Sequence, residues 1–289
     1  MKVISFVNMK GGVGKTTMAV NVSDCLSREY NKKVLTLNID PQFSATQCIF
    51  PVEKFSDFMD SELVDTTINI FDRNPRIVVN SVSGAKTLKN RPLEEIKPQE
   101  ITKKWHALPT NLYLYEVELR PGDGLEFRLR DYVDELRKTN KYDYVIIDTP
   151  PTPSVWMKSA LIASDYYLVP IKPEPLSVFG LDLLEIVIHN YREKYNLPIK
   201  CIGMVVNMYD KRSSLSKETL SSYEKDSRWS NLFFIHRIPT RTKIARNQQL
   251  NKHIIDVNDN DSKNALREIC DELIYRVKEN ERKRQKQTN

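Results

Sequence analysis

The 289-residue sequence predicts an α/β fold with a doubly wound, mostly parallel sheet flanked by helices. A β-rich apolar run at 2–8 passes through a glycine-rich loop at 10–15 into a helical pattern that continues to about Tyr30. A second apolar strand follows at 33–39, and strand and helix patterns then alternate along most of the chain. This alternation is typical of parallel βαβ units whose helices cover both faces of one sheet.

The downstream elements follow in the same order. Apolar spacing predicts a helix at about 125–136 and a strand at 144–147. Further helices are predicted at 154–164, 177–195, 214–226 and 262–284, and further strands at 166–171, 200–207 and 231–235. The charge-rich stretch at about 51–110 is interpreted as an insertion on the edge of the sheet. A single domain over 1–289 is the simplest organisation, with a basic C-terminal tail at about 280–289 that we expect to fray beyond Asn280.

Composition excludes several classes of protein. The formal net charge is +6, and the four cysteines lie far apart without a Cys-x-x-Cys pair, so neither a zinc site nor a disulfide framework is indicated. The apolar runs are strand-sized, far below the roughly 20 residues that span a bilayer. The N-terminal residues lack the pattern of a signal peptide. We therefore expect a cytoplasmic protein without membrane insertion.

The glycine-rich loop has the sequence of a phosphate loop. It reads Lys10-Gly11-Gly12-Val13-Gly14-Lys15-Thr16-Thr17 and lies between a predicted strand and a predicted helix. Glycines allow backbone N–H groups to point at phosphate oxygens, and the N-terminus of the following helix adds its positive dipole end. Lys15 is predicted to reach the β- and γ-phosphates, and Thr16 to offer its hydroxyl to Mg²⁺. All eight residues are predicted to bind the nucleotide.

A second motif has the features of a Walker B strand. The apolar run 145–147 ends at Asp148 and is followed by Thr149-Pro150-Pro151. A carboxylate delivered by the end of a strand can enter the water shell of a nucleotide-bound Mg²⁺. Together with the phosphate loop, Asp148 predicts a Mg²⁺-dependent NTPase.

Lys10 narrows the identification, because Lys-Gly-Gly-x-Gly-Lys-[Ser/Thr] resembles the deviant Walker ATPases, which include the ParA and Soj partition ATPases, MinD and the nitrogenase iron protein. The resemblance implies an ATP-bound homodimer in which Lys10 crosses to the partner's nucleotide. The stretch 38–42 resembles the second loop of this family, in which Asp40 orients the attacking water and lies near Mg²⁺. Asn38 stands where the family often has an aspartate, so a role for position 38 is left open. Lys10, Lys15 and Asp40 are the predicted catalytic residues, and Thr16, Asp40 and Asp148 the predicted metal-binding residues.

The family resemblance also indicates the base-binding end. Asn207 ends a predicted strand and is similar to the family's adenine-side segment, whereas Pro239 resembles the proline of the loop that packs on the base. Capping of its own strand by Asn207 is the alternative. ATP rather than GTP is implied by the resemblance.

Several family members fit poorly. An iron–sulfur role would need paired cysteines, a bacterial tyrosine kinase would end in a tyrosine cluster, and a MinD-like membrane switch would need an amphipathic C-terminal helix, but the tail after Val277 is polar. A ParA-like partition ATPase remains the favoured member. A MinD-like positioning ATPase, or a nucleotide-locked scaffold without DNA binding, is the alternative.

Basic residues favour the partition role. Arg212 matches a Soj-like position used for DNA contact, and Lys243 matches a second such position. The stretch 236–253 holds five basic residues and no acid, including Arg241 and Arg246, with Arg237 and Lys252 as lesser candidates. A solvated charged surface is the alternative interpretation. The resemblance implies that the ATP-bound dimer binds duplex DNA without sequence preference, associates with the nucleoid and hydrolyses ATP slowly until a ParB-like adaptor stimulates it.

Overall fold

The central feature is a seven-stranded sheet in a computed structural model that describes residues 1–59, 64–72, 76–80, 84–88, 92–119, 122–175 and 177–288. The strands are β1 (Lys2–Phe6), β2 (Val34–Asn38), β3 (Arg76–Asn80), β4 (Gly84–Leu88), β5 (Gln99–Thr102), β6 (Trp105–Leu108), β7 (Tyr144–Asp148), β8 (Tyr166–Ile171) and β9 (Lys200–Val206). Strands β3 and β4 form a separate antiparallel hairpin.

The order of the large sheet is β5-β6-β2-β7-β1-β8-β9. Neighbouring strands are parallel, except that β5 runs antiparallel to β6. Strand β1 lies between β7 and β8, so that Phe6 is in register with both Asp148 and Leu168. The carboxyl ends of β1, β2 and β7 therefore meet at one edge, the usual position of a ligand site in a parallel sheet. The predicted fold class is confirmed.

Helices cover both faces of the sheet. They are α1 (Lys15–Arg28), α2 (Ser44–Ile49), α3 (Phe55–Met59), α4 (Ile68–Phe71), α5 (Tyr113–Leu119), α6 (Arg128–Thr139), α7 (Val155–Ala163), α8 (Ser177–Tyr195), α9 (Ser214–Lys225), α10 (Thr242–Gln248) and α11 (Asn260–Thr288). Side chains alternate across each strand. In β1, Ile4 belongs to the core beneath α1 and α11, whereas Val3 belongs to the core beneath α6 and α7.

The prediction of a last strand at 231–235 is wrong. The chain forms a short 3-10 turn at Ser230–Leu232 and then a single parallel bridge between Phe233 and Met204. Arg276 of α11 explains why no longer ladder forms. Its guanidinium donates to the backbone carbonyls of Ile202, Leu232 and Phe233. Because a side chain takes these acceptors, an eighth strand is not needed to satisfy them.

The C-terminal part of the charge-rich stretch 51–110 belongs to the sheet itself, in which β5 is an edge strand. Strand β6 pairs in parallel with β2, and Val34 is opposite Trp105. Trp105 is buried and donates its indole N–H to Thr36. The sequence does not predict these contacts, because a four-residue strand between charged segments has a weak periodic signal.

The C-terminal helix is longer than predicted. The sequence predicts 262–284 with fraying after Asn280, whereas α11 continues to Thr288. Glu281 explains part of the difference, since its carboxylate accepts a 2.5 Å hydrogen bond from the Tyr166 hydroxyl and pairs with Lys2. The beginning of the basic tail is therefore packed against the strands.

Candidate functional site

The glycine-rich loop joins the carboxyl end of β1 to the N-terminus of α1. Gly12 and Gly14 have φ values of +74° and +83°, a left-handed conformation that glycine adopts without steric penalty. A Cβ atom at Gly14 would lie 2.1 Å from the amide nitrogen of Asn207. Glycine at position 14 is thus required by backbone conformation and by close approach together.

Two buried asparagines hold this loop. Asn8 donates to the carbonyl oxygen of Pro170 at 2.8 Å and accepts from the backbone N–H of Lys10 at 2.8 Å. Asn207 donates from its amide to the carbonyl oxygen of Val13 at 2.9 Å. The Asn207 amide therefore supports the phosphate loop, which neither its predicted adenine contact nor its alternative capping role included. Asn8 was not identified from the sequence.

Lys15 is the first residue of α1 and is buried, with its Nζ atom 3.4 Å from the carbonyl oxygen of Lys10. Burial lowers the pKa of its ammonium group, while Asp148 and then Asp40 act in the opposite direction. The fold thus places one buried cation beside two carboxylates at the N-terminus of α1.

Thr16 and Asp148 are joined directly. The Thr16 hydroxyl donates to one carboxylate oxygen of Asp148 at 2.8 Å, and Asp148 is completely buried. Burial raises the pKa of Asp148 to about 7, against the effect of the Thr16 hydrogen bond. Within the part of the chain that the structure describes, the other carboxylate oxygen has no hydrogen-bond partner. A buried polar atom without a partner is uncommon and indicates a site for a ligand or ion.

These donors fit Mg²⁺. The ion prefers oxygen ligands and is usually bound through one or two protein groups, substrate phosphates and water. A hydroxyl and a carboxylate at the end of a phosphate loop match that pattern. Among the described residues, no group of three His, Cys, Asp or Glu side chains forms a metal cluster, so an all-protein cage is not available there.

Asp40 follows β2 and is also buried. One of its carboxylate oxygens accepts the backbone N–H of Gln42 at 3.0 Å, and burial raises the pKa of the group. Asn38 accepts the backbone N–H of Asp40 at 3.0 Å and donates to the Thr46 hydroxyl at 3.0 Å. Asn38 thereby ties the Asp40 loop to α2.

Lys10 forms an ion pair within its own chain. Its Nζ atom forms a 2.7 Å ion pair with Glu174, in the loop after β8, and Lys172 pairs with the same carboxylate. Hydrogen bonds from Lys10 and Lys172 lower the pKa of Glu174. No local motif predicts this contact, because Glu174 is 164 residues away in the chain.

Pro239 lies beside the segment that follows β9. Tyr209 donates its backbone N–H to Ile238 at 2.9 Å and accepts from Thr240 at 3.0 Å. The Met208 side chain reaches within 3.3 Å of the position that a Gly14 Cβ would occupy. The two segments predicted to form the base-binding end are therefore adjacent to each other and to the phosphate loop.

The predicted DNA-binding residues differ in their surroundings. Arg212 has a side chain that is 94% exposed, and Lys243 and Arg246 are exposed on α10. Arg212 has a long contact with Asp210 at 3.6 Å, whereas Arg241 forms closer ion pairs with Asp259 at 2.8 Å and Asp261 at 3.3 Å. The lesser candidates also differ: Arg237 pairs with Glu224 and Lys252 is exposed.

The basic stretch 236–253 therefore contains no acidic residue, but acidic residues from other segments lie next to it in the fold. Glu224 of α9 pairs with Arg237, and Asp259 and Asp261, just before and within the first turn of α11, pair with Arg241. The proximity of these acids could not be read from local sequence.

Within the described residues, no helix is long and apolar enough to cross a bilayer.

The parallel sheet and the loop between β1 and α1 define the class of the protein, a P-loop NTPase. The family described as AAA domain matches residues 1–201, and the chain belongs to this family. Two curated relatives have names that agree with the predicted resemblance. The sporulation initiation inhibitor protein Soj of Bacillus subtilis is 28% identical over 253 residues, which cover 87% of each chain. The chromosome partitioning protein ParA of Caulobacter vibrioides is 28% identical over 220 residues, 75% of this chain and 73% of that protein. The predicted ParA and Soj resemblance is confirmed.

Solved structures share the fold. A putative plasmid partition protein from Borrelia burgdorferi B31, bound to AMPPNP, has a TM-score of 0.69 at 21% identity and covers 96% of this chain and 98% of its own. Cobyrinic acid a,c-diamide synthase from Mycobacterium smegmatis, with a bound ATP analog and magnesium, has a TM-score of 0.66 at 22% identity and covers 96% of both chains. Both proteins have this architecture although their names describe different roles, so the fold alone does not choose between those roles.

Proposed function

We propose that this chain is a DNA-partition ATPase. It binds ATP with Mg²⁺, dimerises with ATP between the subunits, binds duplex DNA without sequence preference and hydrolyses ATP slowly until a ParB-like adaptor stimulates it. The observation that carries the proposal is the Thr16–Asp148 pair at the end of the phosphate loop, beside the buried Lys15. The relatives named Soj and ParA, and the AMPPNP bound to the Borrelia protein, support it.

Nucleotide binding rests on the loop and the first turn of α1. Backbone N–H groups at 11–14 and the ammonium of Lys15 would bind the phosphates, and Thr16 with Asp148 would hold Mg²⁺. Mg²⁺ held by these residues would supply positive charge against the charge that develops on the phosphates during transfer. Burial of Lys15 and Asp148 strengthens these interactions, because charges act more strongly where water is excluded.

Hydrolysis requires a positioned water molecule. Asp40 is suited to this task because its loop is held by Asn38 and its own carboxylate accepts the Gln42 amide, which together fix the direction of the group. Phosphoryl transfer depends mainly on positioning and on electrostatic stabilisation rather than on a strong base. Slow turnover by the isolated chain follows from this arrangement.

Dimerisation assigns Lys10 a role in the partner's site. Lys10 reaches the partner's nucleotide only after leaving Glu174, so the 2.7 Å ion pair competes with the ATP-bound dimer. An adaptor that favours the released position of Lys10 would raise the rate of turnover.

DNA binding is assigned to Lys243 and Arg246 on α10 and to Arg212, since exposed cations neutralise phosphates and release counterions. Arg241 is assigned a smaller part, because Asp259 and Asp261 already engage its guanidinium. In this proposal Arg241 mainly fixes the start of α10 against α11.

Steady-state hydrolysis of ATP, with and without Mg²⁺ and nonspecific duplex DNA, tests the enzymatic part of the proposal. Thr16→Ala should lower turnover by about tenfold or more, because it removes a proposed metal ligand and the charge-assisted hydrogen bond to Asp148. Thr16→Ser is the matched control, since it keeps the hydroxyl. Equal turnover in all three proteins would contradict the assigned metal site. Tight ATP binding without turnover in the wild type would favour the nucleotide-locked scaffold instead.

A further inference from the structure

The end of α10 contacts α1, which begins at Lys15, and α2, the helix that follows the Asp40 loop. Gln248, the last residue of α10, accepts a hydrogen bond from the Thr17 hydroxyl at 3.1 Å through its amide oxygen. Its amide nitrogen donates to the Cys48 sulfur. Thr17 lies in the first turn of α1, next to Thr16, and Cys48 lies in α2, the helix that follows the Asp40 loop. One half-buried side chain thus joins three elements.

Neighbouring contacts strengthen the same junction. Asn251 donates from its amide to the carbonyl oxygens of Gln47 at 2.9 Å and Phe50 at 2.8 Å, at the C-terminal end of α2. Asn21 of α1 accepts the backbone N–H of Ile254 at 2.6 Å and donates to the carbonyl oxygen of Thr17 at 2.7 Å. The segment after α10 is therefore anchored to α1 and to α2 independently of Gln248.

The contacts of Gln248 lie between two regions with different roles in the proposed function, the nucleotide site and the exposed side of α10. On the nucleotide side, Asn38 ties the Asp40 loop to α2 through Thr46. On the outer side, α10 exposes Lys243 and Arg246, while Ile244 is buried in the core shared with α1. A shift of α2 or of the first turn of α1 would act on α10 through Gln248.

We propose that Gln248 is a positioning residue that couples the nucleotide site to the DNA-binding surface of α10. The inference rests on the proposed function. When α1 and α2 adopt the ATP-bound arrangement, the two hydrogen bonds of Gln248 hold α10 where Lys243 and Arg246 engage DNA. Such coupling means that ATP at one site changes the affinity for DNA at the other. Changes of about 5- to 150-fold in affinity are typical.

The test compares DNA affinity with ATP and with ADP. Gln248→Leu keeps a similar volume but removes both hydrogen bonds, and it should lower the ATP-to-ADP ratio of DNA affinity by about tenfold. Affinity for ATP and the ATP-dependent dimer should be unchanged. Gln249→Leu, at the exposed neighbouring position, is the matched control and should keep the wild-type ratio.

A second variant separates coupling from folding. Cys48→Ala removes the sulfur acceptor and should lower the ratio in the same direction, whereas Cys48→Ser keeps an acceptor and should restore most of it. Combining Gln248→Leu with Cys48→Ala should add little to the single effects, because both break one junction. A merely structural role would weaken DNA binding equally with ATP and ADP.

The outcomes are distinguishable. A wild-type ratio that persists in Gln248→Leu and Cys48→Ala overturns the coupling role and leaves the proposed function intact. Equal DNA affinity with ATP and ADP in the wild type overturns the proposed function and the coupling role together.

Discussion

The Nζ atom of Lys10 lies 2.7 Å from a carboxylate oxygen of Glu174 within the same chain. The family resemblance implies that Lys10 contacts the nucleotide of the partner subunit, but here Lys10 is paired within its own chain. Its side chain is only 28% exposed. Partly exposed ion pairs contribute about 0–1 kcal/mol, so the contact is weak enough to exchange for a nucleotide phosphate.

Glu174→Gln should therefore favour the ATP-bound dimer. Removing the carboxylate charge weakens its hold on Lys10 and should tighten dimerisation by up to about fivefold, as expected for an ion pair of about 1 kcal/mol. Analytical ultracentrifugation over a concentration series with ATP measures the dissociation constant. Glu224→Gln is the control, because the Glu224 side chain is equally exposed and pairs with Arg237 rather than with Lys10. Weaker dimerisation in Glu174→Gln would show that Glu174 contributes to the dimer rather than competing with it.

Asp40→Ala should separate nucleotide binding from hydrolysis. The phosphate loop, Lys15 and Thr16 stay intact in this variant, so ATP affinity and the dimer should persist. Turnover should fall at least about a hundredfold, which is the lower end of the effect expected for a group that transfers a proton or orients water. Lys10→Ala should instead bind ATP and fail to dimerise. Phosphate release and sedimentation on the same samples measure both properties. Wild-type turnover in Asp40→Ala would rule out the water-orienting role.

Asp24, on α1 away from the phosphates, should make the stability of the chain depend on pH. Burial raises the pKa of Asp24 from 3.8 to about 6, although Arg28 acts in the opposite direction. Between these two values the folded chain holds a proton that the unfolded chain releases, so rising pH lowers the free energy of unfolding. Above about pH 6 the full penalty is present, and below about pH 4 it is absent.

Asp24→Asn removes this titration. Relative to the wild type, the variant should gain stability on the order of 2 kcal/mol between about pH 4 and pH 7. Urea unfolding at both pH values measures the difference. Ser23→Ala, at a buried residue of the same helix that does not titrate in this range, should differ from the wild type by a constant amount. A constant difference for Asp24→Asn as well would contradict the assigned titration.

Lys243→Ala combined with Arg246→Glu should weaken binding to every duplex sequence alike. Each neutralised phosphate contributes about −0.9 to the slope of log affinity against log salt, so the slope should flatten by that amount for each phosphate that the variant no longer neutralises. Fluorescence anisotropy over a salt series with ATP measures it. The control pair is Lys138→Ala with Arg130→Glu on α6, which packs on the opposite face of the sheet. An unchanged slope in the α10 variant would remove this helix from the DNA surface.

The Arg241→Ala variant distinguishes the revised assignment from the sequence-based one. Its main effect should be lower stability, because Asp259 and Asp261 lose their partner. A loss of DNA affinity as large as that of the α10 pair would restore Arg241 as a direct contact.

Much of the site could be predicted from local sequence because its chemistry is local. The loop residues from Lys10 to Thr17 are consecutive, and Asp148 ends an apolar strand that is buried on both faces. Strand β8 and helix α8 have the predicted bounds for a similar reason, since long apolar patterns dominate there.

The remaining features depend on contacts between distant parts of the chain. Glu174 meets Lys10, and Gln248 meets Thr17, only after the sheet has formed. Arg276 replaces the ladder that the pattern at 231–235 predicts. Such contacts leave no periodic signal, because they depend on tertiary packing rather than on the spacing of neighbouring side chains.

Sedimentation velocity of the purified chain, with ATP, with ADP and without nucleotide, each with and without nonspecific duplex DNA, tests the central claim most directly. A monomer should sediment without nucleotide and with ADP, and a dimer with ATP. Only the ATP sample should move with the DNA. Lys15→Ala should remain monomeric and unbound throughout, because it lacks the ammonium that holds the phosphates. Co-sedimentation with DNA that is equal in all three nucleotide states, or an ATP sample that stays monomeric, would contradict an ATP-switched DNA-binding dimer.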